Sequence, residues 1–264
     1  MMADTSTEQL YNNRLKGKVA IVTASTDGIG FATAKRFAQE GAKVVISSRH
    51  QKNVDRAISQ LTKEGLGENV VGTVCHVAKA DDRKRIFNEA LKLGGPHILV
   101  SNAAVNPAMC HITECSESIW DKIFEVNVKA SFLLAKEAHT YFQRNGGGRI
   151  IFMSSLAGYI LSRLLGHYSV SKTALISLAK AIANDVASDN ITVNCIAPGY
   201  IPTKFSNTAA KWEPLQRTVL TNIPLKRFGT TDDVAGVATF LASDDSSYIT
   251  GETIVVGGGL ASRL

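Results

Sequence analysis

Short apolar runs punctuate this chain at regular intervals: Lys18–Val22, Lys43–Ser47, Val70–Cys75, His97–Val100, Arg149–Met153, Ile191–Ile196 and Glu252–Val256. Runs this brief, apolar on successive residues rather than alternate ones, read as strands buried on both faces of a parallel sheet. Between them lie longer stretches with helical periodicity: about Phe31 to Glu40, Lys52 to Lys63, Asp81 to Leu93, Glu117 to Arg144, a helix carrying Tyr168 and ending near Ser188, and about Thr231 to Ser243. Gly41 stops the first, and Asp81 and Asp82 suit the start of the third, as caps and against the helix dipole. The alternation predicts an α/β architecture, a parallel sheet of about seven strands with right-handed crossovers. No linker interrupts it, so residues 18–259 read as a single domain. One segment breaks the rhythm. Tyr200 to Arg227 has mixed polarity and carries Pro202, Pro214 and Pro224, the pattern of a substrate lid over the sheet's carboxyl edge (residues 200–227).

The turn after the first strand brings in chemistry. Thr23-Ala24-Ser25-Thr26-Asp27-Gly28-Ile29-Gly30 leads from strand to helix, so backbone amides at a helix N-terminus face an anion and Gly28 and Gly30 admit a pyrophosphate. The architecture is therefore expected to be a Rossmann-type doubly wound sheet. Such a unit preferring NAD ends its second strand in Asp or Glu, which accepts from the adenosine ribose. This chain reads Ser47-Ser48-Arg49, hydroxyls and a guanidinium suited to a 2′-phosphate, which favours NADP(H). After the fourth strand, Ser101-Asn102-Ala103-Ala104 leaves room for a cofactor.

Tyr168 and Lys172 are four residues apart on one helix and so share a face. A phenol titrates near pH 10 when alone, and an ammonium beside it favours the phenolate and brings it toward the working range. Ser155, at the end of the Ile150–Met153 run, is placed to hydrogen-bond the substrate oxygen that Tyr168 protonates. Asn127 interrupts an apolar stretch and needs a partner, either a core group or a buried water in the active site.

Composition narrows the function classes. Of 264 residues, 45% are hydrophobic and 20% charged, ordinary for a globular protein, and the net charge of +6 has no basic stripe interleaved with aromatics. Nucleic-acid binding is not expected; a phosphorylated ligand is compatible. Cys75, Cys110, Cys115 and Cys195 form no C-x-x-C pair and no metal spacing, so no metal is expected and the thiols read as reduced. No apolar run approaches the ~18–20 residues that span a membrane. Residues 1–17 lack an apolar core and read as a mobile arm, and residues 260–264 as a tail. The tail ends Ser262-Arg263-Leu264, one Arg-for-Lys exchange from the Ser-Lys-Leu address read by the peroxisomal import receptor.

Together these stretches resemble the short-chain dehydrogenase/reductase family over roughly Lys18 to Gly259. The resemblance implies a catalytic tetrad of Asn127, Ser155, Tyr168 and Lys172, with Lys172 lowering the Tyr168 pKa and holding the nicotinamide ribose, and Asn127 keeping a water in line for proton resupply. It implies cofactor contacts from the turn holding Thr23, Ser25, Asp27, Gly28, Ile29 and Gly30, from Asn102, Ala103 and Ala104, and from Pro198, Gly199, Ile201 and Thr203 on the nicotinamide side. Two departures stand out. Ala24 replaces the family's first glycine, for which an adjusted turn and retained binding are expected, and His76-Val77 replaces Asp-Val after the third strand, leaving an acidic adenine contact in question. The glycine turn, Ser101–Pro107 and Ser247–Thr253 further resemble a branch of the family that reduces carbonyls and retinal with NADPH, typically as a peroxisomal homotetramer. The expected activity is thus NADPH-dependent reduction of a small carbonyl substrate, with an oxidative secondary-alcohol or steroid dehydrogenase, or a catalytically silent nucleotide-binding regulator, as the alternatives.

Overall fold

The computed structural model describes residues 13–161, 163–205 and 219–260. Its strands are β1 (Val19–Val22), β2 (Lys43–Ser48), β3 (Val70–Val74), β4 (Ile98–Ser101), β5 (Gly148–Met153), β6 (Ile191–Pro198) and β7 (Thr253–Val256). They form one sheet in the order β3-β2-β1-β4-β5-β6-β7, with every pairing parallel. Helices α1 (Gly28–Gln39), α2 (Gln51–Lys63), α3 (Ala80–Lys92), α4 (Glu117–Ile123), α5 (Ala130–Arg144), α6 (Gly166–Val186) and α7 (Thr231–Ala242) cover its two faces.

The unbroken apolar runs are explained by two cores. In β1, Val19 and Ile21 point into one, with Phe87, Leu134, Phe142 and Leu175 from α3, α5 and α6, while Ala20 and Val22 point into the other, with Phe37, Leu61 and Leu241 from α1, α2 and α7. A strand's side chains alternate between faces, so a sheet covered on both sides requires apolar residues at every position. The chain runs from β1 outward to β3 and returns to β4 on the other side of β1. At that reversal the carboxyl ends of β1 and β4 diverge into a crevice, where open sheets of this kind bind ligands.

Two expectations need correction. First, the stretch expected as one helix from Glu117 to Arg144 contains a π-helical turn at Phe124–Lys129 between α4 and α5. The wider turn carries the buried Asn127, whose side chain bonds the backbone of Val105, so tertiary hydrogen bonds override the local helix there. Second, Asn13–Gly17 are not part of a mobile arm: Leu15 is buried in the core, its N–H donates to the Glu40 carbonyl at 3.0 Å, and Arg14 pairs with the Glu40 carboxylate at 2.6 Å. At the other end of the domain, Gly257-Gly258-Gly259 is a docked segment. Leu225 N–H donates to the Gly258 carbonyl at 3.0 Å, and a Cβ on Gly259 would come within 2.8 Å of the Pro224 ring. The rest of the arm, the middle of the lid and Ser262-Arg263-Leu264 lie outside the described residues.

Candidate active site

The crevice is built by hydrogen bonds between the ends of β1 and β4. Thr23 Oγ1 accepts the Asn102 N–H at 2.9 Å and the Ala103 N–H at 3.1 Å, and Asn102 Nδ2 donates to the carbonyls of Thr23 (3.0 Å) and Ala24 (3.1 Å). Ser25 ties β1 to β2, donating to the Val22 carbonyl at 2.6 Å and accepting the Ser47 N–H at 3.0 Å. Thr23, Ser25 and Asn102 therefore shape the rim with their side chains turned to the protein. The glycines are needed for different reasons. Gly30 takes an ordinary helical backbone, but a Cβ there would lie 2.5 Å from both the Ala24 carbonyl and Asn102 Nδ2. Gly28 has φ +57°, and a Cβ would meet Thr203 at 3.3 Å, so the nicotinamide-side loop packs directly on the glycine turn. Ile29 is half-buried against the α1 side of the core.

Ala24 keeps a left-handed backbone at φ +50°. A left-handed backbone at a residue with a Cβ costs about 1–2 kcal/mol.

Asp27 caps α1, accepting the Gly28 N–H at 2.9 Å, and pairs with Lys204 at 2.5 Å and Arg56 at 3.5 Å. Burial pushes its carboxyl up, but Lys204, the Gly28 N–H and Arg56 outweigh that and hold it below the usual carboxylate range. A cavity of about 160 Å³ beside this turn is lined by Asp27, Ser48, Arg49, His76 and Ala103 among others. Asp27 is the one carboxylate in that lining, and it is already paired. Ser47 is buried with its hydroxyl unpartnered, Ser48 is half-buried and accepts from Asn53 Nδ2 at 3.4 Å, and Arg49 is exposed. At the end of β3, His76 Nδ1 accepts the Ala78 N–H at 3.3 Å and the His76 N–H donates to Asp82 at 2.8 Å. The imidazole thus closes this turn, and Val77 next to it is buried.

At the far side of the crevice β5 delivers two serines. Ser154 donates to the Lys172 carbonyl at 2.8 Å, and Ser155 caps a short 3₁₀ turn, Leu156–Gly158, by accepting the Ala157 N–H at 3.1 Å. Tyr168 and Lys172 lie in the first turns of α6, and the two β5 serines hold that end of the helix to the strand. The Tyr168 phenol is pushed up to about 12 by burial, with the hydrogen bond from Ser155 acting the other way. Lys172 is buried and drawn down to about 8 by the same desolvation. Its Nζ donates to the Met153 carbonyl at 2.7 Å and lies 5.5 Å from the Tyr168 ring centre.

The Lys172 ammonium is thus held on a backbone carbonyl beneath the Tyr168 ring. Asn127 finds its partner within the fold, one of the two forms expected of it. Its Oδ1 accepts the Val105 N–H at 2.8 Å, and its Nδ2 donates to the Val105 carbonyl and to Ser171 Oγ, both at 3.1 Å. That side chain holds the loop after β4 against α6. Pro198 ends β6, Gly199 N–H donates to the Val256 carbonyl at 2.9 Å, and Ile201 is buried while Thr203 faces Gly28.

With Lys172 at about 8 and Tyr168 at about 12, the tyrosine stays protonated across the working range while the lysine changes charge within it. If the Lys172 charge serves dinucleotide binding, kcat/KM for the dinucleotide should be flat below pH 8 and fall above it as the ammonium is lost. A profile level to pH 10 would remove the lysine charge from the binding step.

Sequence reasoning missed Phe205, whose ring lies 6.1 Å from that of Tyr168, and Lys204, which neutralises Asp27. Both come from the irregular segment after β6, where no periodicity marks them. It also missed that Cys110 and Cys115 approach His167, because the histidine joins from another element. Ile160, Leu164, Tyr200 and Phe205 are exposed, and Leu165 is half-buried.

A family model described as enoyl-(acyl carrier protein) reductase matches residues 23–261. Dehydrogenase/reductase SDR family member 4 of Bos taurus is 51% identical over 96% of this chain and 90% of its own length, and the Homo sapiens protein of the same name 51% over 95% and 90%. The chain belongs to the short-chain dehydrogenase/reductase family. As a member of it, the protein is an oxidoreductase acting on CH–OH and C=O groups. The short-chain dehydrogenase/reductase fold is shared with a solved structure titled as a putative 2-deoxy-D-gluconate 3-dehydrogenase from Agrobacterium tumefaciens with bound NADP. It is 31% identical, has a TM-score of 0.87, and covers 96% of this chain and 100% of its own.

Proposed function

We propose that this enzyme reduces carbonyl compounds with NADPH, on ketones and α-dicarbonyls, with retinal among the candidate substrates. The observation that carries the reading is the pairing of a neutral, Ser155-bonded Tyr168 with a crevice whose adenosine end offers Ser48 and Arg49 and no unpaired carboxylate. The crevice fits a dinucleotide: a cavity of about 160 Å³ lies beside the glycine turn, and the buried Ser47 hydroxyl lacks a partner. Gly28 and Gly30 would accommodate the pyrophosphate, Ser48 and Arg49 the 2′-phosphate, Ala103 and Ala104 the ribose side, and Ile201 and Thr203 the carboxamide. Bound there, the dinucleotide supplies hydride to the carbonyl carbon.

The protein's own part is placement and proton supply. Ser155 orients the substrate oxygen, and Tyr168 donates its phenolic proton to that oxygen as negative charge develops. Lys172, anchored on Met153, positions positive charge below the Tyr168 ring. Asn127 positions the loop from Asn102 to Val105 against α6. Phe205, Ile160, Leu164 and Tyr200 present apolar surface to the remainder of the substrate.

The test is loss of NADPH absorbance with a panel of aromatic ketones, α-dicarbonyls and retinal, run in parallel with NADH and, in reverse, with secondary alcohols and steroids. Turnover of the carbonyls with NADPH in preference to NADH is expected. Oxidation alone, or no turnover at all, would replace this reading with an alcohol dehydrogenase or a silent nucleotide-binding protein. A homotetramer and peroxisomal import through Ser262, Arg263 and Leu264 belong to the same proposal, supported by the likeness to SDR family member 4. Monomer by light scattering, or a diffuse cellular signal from an N-terminally tagged chain with a free Leu264, would remove them.

A further inference from the structure

Beside the carbonyl site, and not used by it, the structure gathers Cys110, Cys115 and His167, with one ligand atom from each lying within 4.8 Å of the others. The cysteines flank a 3₁₀ turn, Ile112–Glu114, in the loop between β4 and α4, and the histidine opens α6. His167 is fully buried. Its Nε2 lies 3.1 Å from the Ala108 carbonyl and 3.2 Å from Asn106 Oδ1. A carbonyl only accepts, so Nε2 carries the proton and Nδ1 keeps its lone pair, which faces Cys110 Sγ at 3.8 Å. A ring nitrogen held bare because the other donates to a backbone carbonyl is how metal-binding histidines are oriented.

The dimensions agree with a small tetrahedral cation. Zinc bonds of about 2.3 Å to sulfur and about 2.0–2.1 Å to nitrogen imply S···N edges of about 3.6 Å and S···S edges of about 3.8 Å. The Cys110–His167 pair is already within a few tenths of an ångström of that edge. A thiol–imidazole hydrogen bond accounts for Cys110 alone; it does not account for Cys115, whose Sγ donates to the Ser116 carbonyl at 3.7 Å and still lies within 4.8 Å of both other ligand atoms. Both cysteines are partly exposed, which gives an ion an entry path and leaves room for a solvent oxygen, whereas Cys75 and Cys195 are buried elsewhere.

We propose that Cys110, Cys115 and His167 bind a thiophilic divalent cation, Zn²⁺ foremost, which staples the loop after β4 to the first turn of α6 beside Tyr168. Backbone already joins the two segments there, through the Cys110 N–H and the Leu164 carbonyl at 3.2 Å. The ion would brace the turn that carries the proton donor. Two thiolates and a neutral imidazole form the ligand set, so binding releases protons and weakens in acid.

The experiment uses the untagged full chain, kept reduced by a phosphine and titrated with Co²⁺ as a spectroscopic probe. A sulfur-to-cobalt charge-transfer band with tetrahedral visible bands should saturate at one equivalent and be displaced by Zn²⁺, which binds such sites more tightly than Co²⁺. Cys110→Ser and Cys115→Ser should each abolish or strongly weaken it. At a hundredfold excess over its Kd, Zn²⁺ should raise Tm by about 5–10 °C in the wild type and not in Cys115→Ser. Thiol alkylation of the unmutated chain needs no variant to fold: one equivalent of Zn²⁺ should protect Cys110 and Cys115. No thiolate band at one equivalent, an equal band in the Cys110→Ser/Cys115→Ser double variant, or unprotected thiols would overturn the proposal. Each result is independent of whether the enzyme reduces carbonyls.

Discussion

Tyr168→Phe is expected to lower kcat by about 10²–10⁴-fold while leaving the fold and NADPH affinity in place. The substitution removes one oxygen and keeps the ring that faces Phe205 and lies above Lys172. What it removes is the acid. Burial pushes this phenol up to about 12, which favours the protonated form that would donate to a developing alkoxide. Ser155 remains in the variant but is not expected to take over, because its hydroxyl already caps the 3₁₀ turn. Because the lost interaction belongs to the transition state, kcat and kcat/KM should fall together while substrate KM changes little. Single-turnover rates on preformed enzyme–NADPH complex, alongside cofactor binding by fluorescence, check this. Turnover near the wild-type rate would assign the proton to another group.

Ser48→Asp should reverse the cofactor preference, and Arg49→Ala should weaken it in the same direction. Both positions line the cavity at the end of β2, where the carboxylate present, Asp27, is neutralised by Lys204 and Arg56. A new carboxylate on Ser48 has no such cations assigned to it, so it would repel a 2′-phosphate and accept from a ribose hydroxyl instead. Removing the Arg49 guanidinium forfeits a charge-assisted hydrogen bond of about 1.5–3 kcal/mol, roughly ten- to a hundredfold in NADPH affinity. NADH affinity should hold in Arg49→Ala and rise in Ser48→Asp. Dissociation constants for both dinucleotides, measured for wild type and each variant, decide the matter. A wild type that prefers NADH would refute the reading of β2.

Much of the architecture was legible in the chain because its signals are local. Every predicted strand appears within a few residues of its expected position, since a sheet buried on both faces writes itself as a continuous apolar run. The spacing of Tyr168 and Lys172 placed them on one helix face for the same reason. The docking of the arm's inner end was not legible, because Leu15 is a single apolar residue among polar ones and its burial depends on Glu40 arriving from the end of α1. The π turn was not visible either, since Phe124–Lys129 has ordinary helical composition and is reshaped by the hydrogen bonds that Asn127 makes to Val105.

By itself, the sequence determined the α/β alternation, the glycine turn, the acid-free end of β2 and the residue types at the reacting centre. These follow from periodicity, backbone sterics and side-chain chemistry, all of which act over a few residues. Only the tertiary structure decided how those residues are used. It aimed Lys172 at the Met153 carbonyl, desolvated Tyr168, committed Asn127 to a loop, and packed Thr203 against Gly28. It also brought His167 to Cys110 and Cys115. Each of these depends on which groups the fold desolvates and which distant atoms it brings within hydrogen-bonding distance, and neither quantity is encoded in the spacing of residues along the chain.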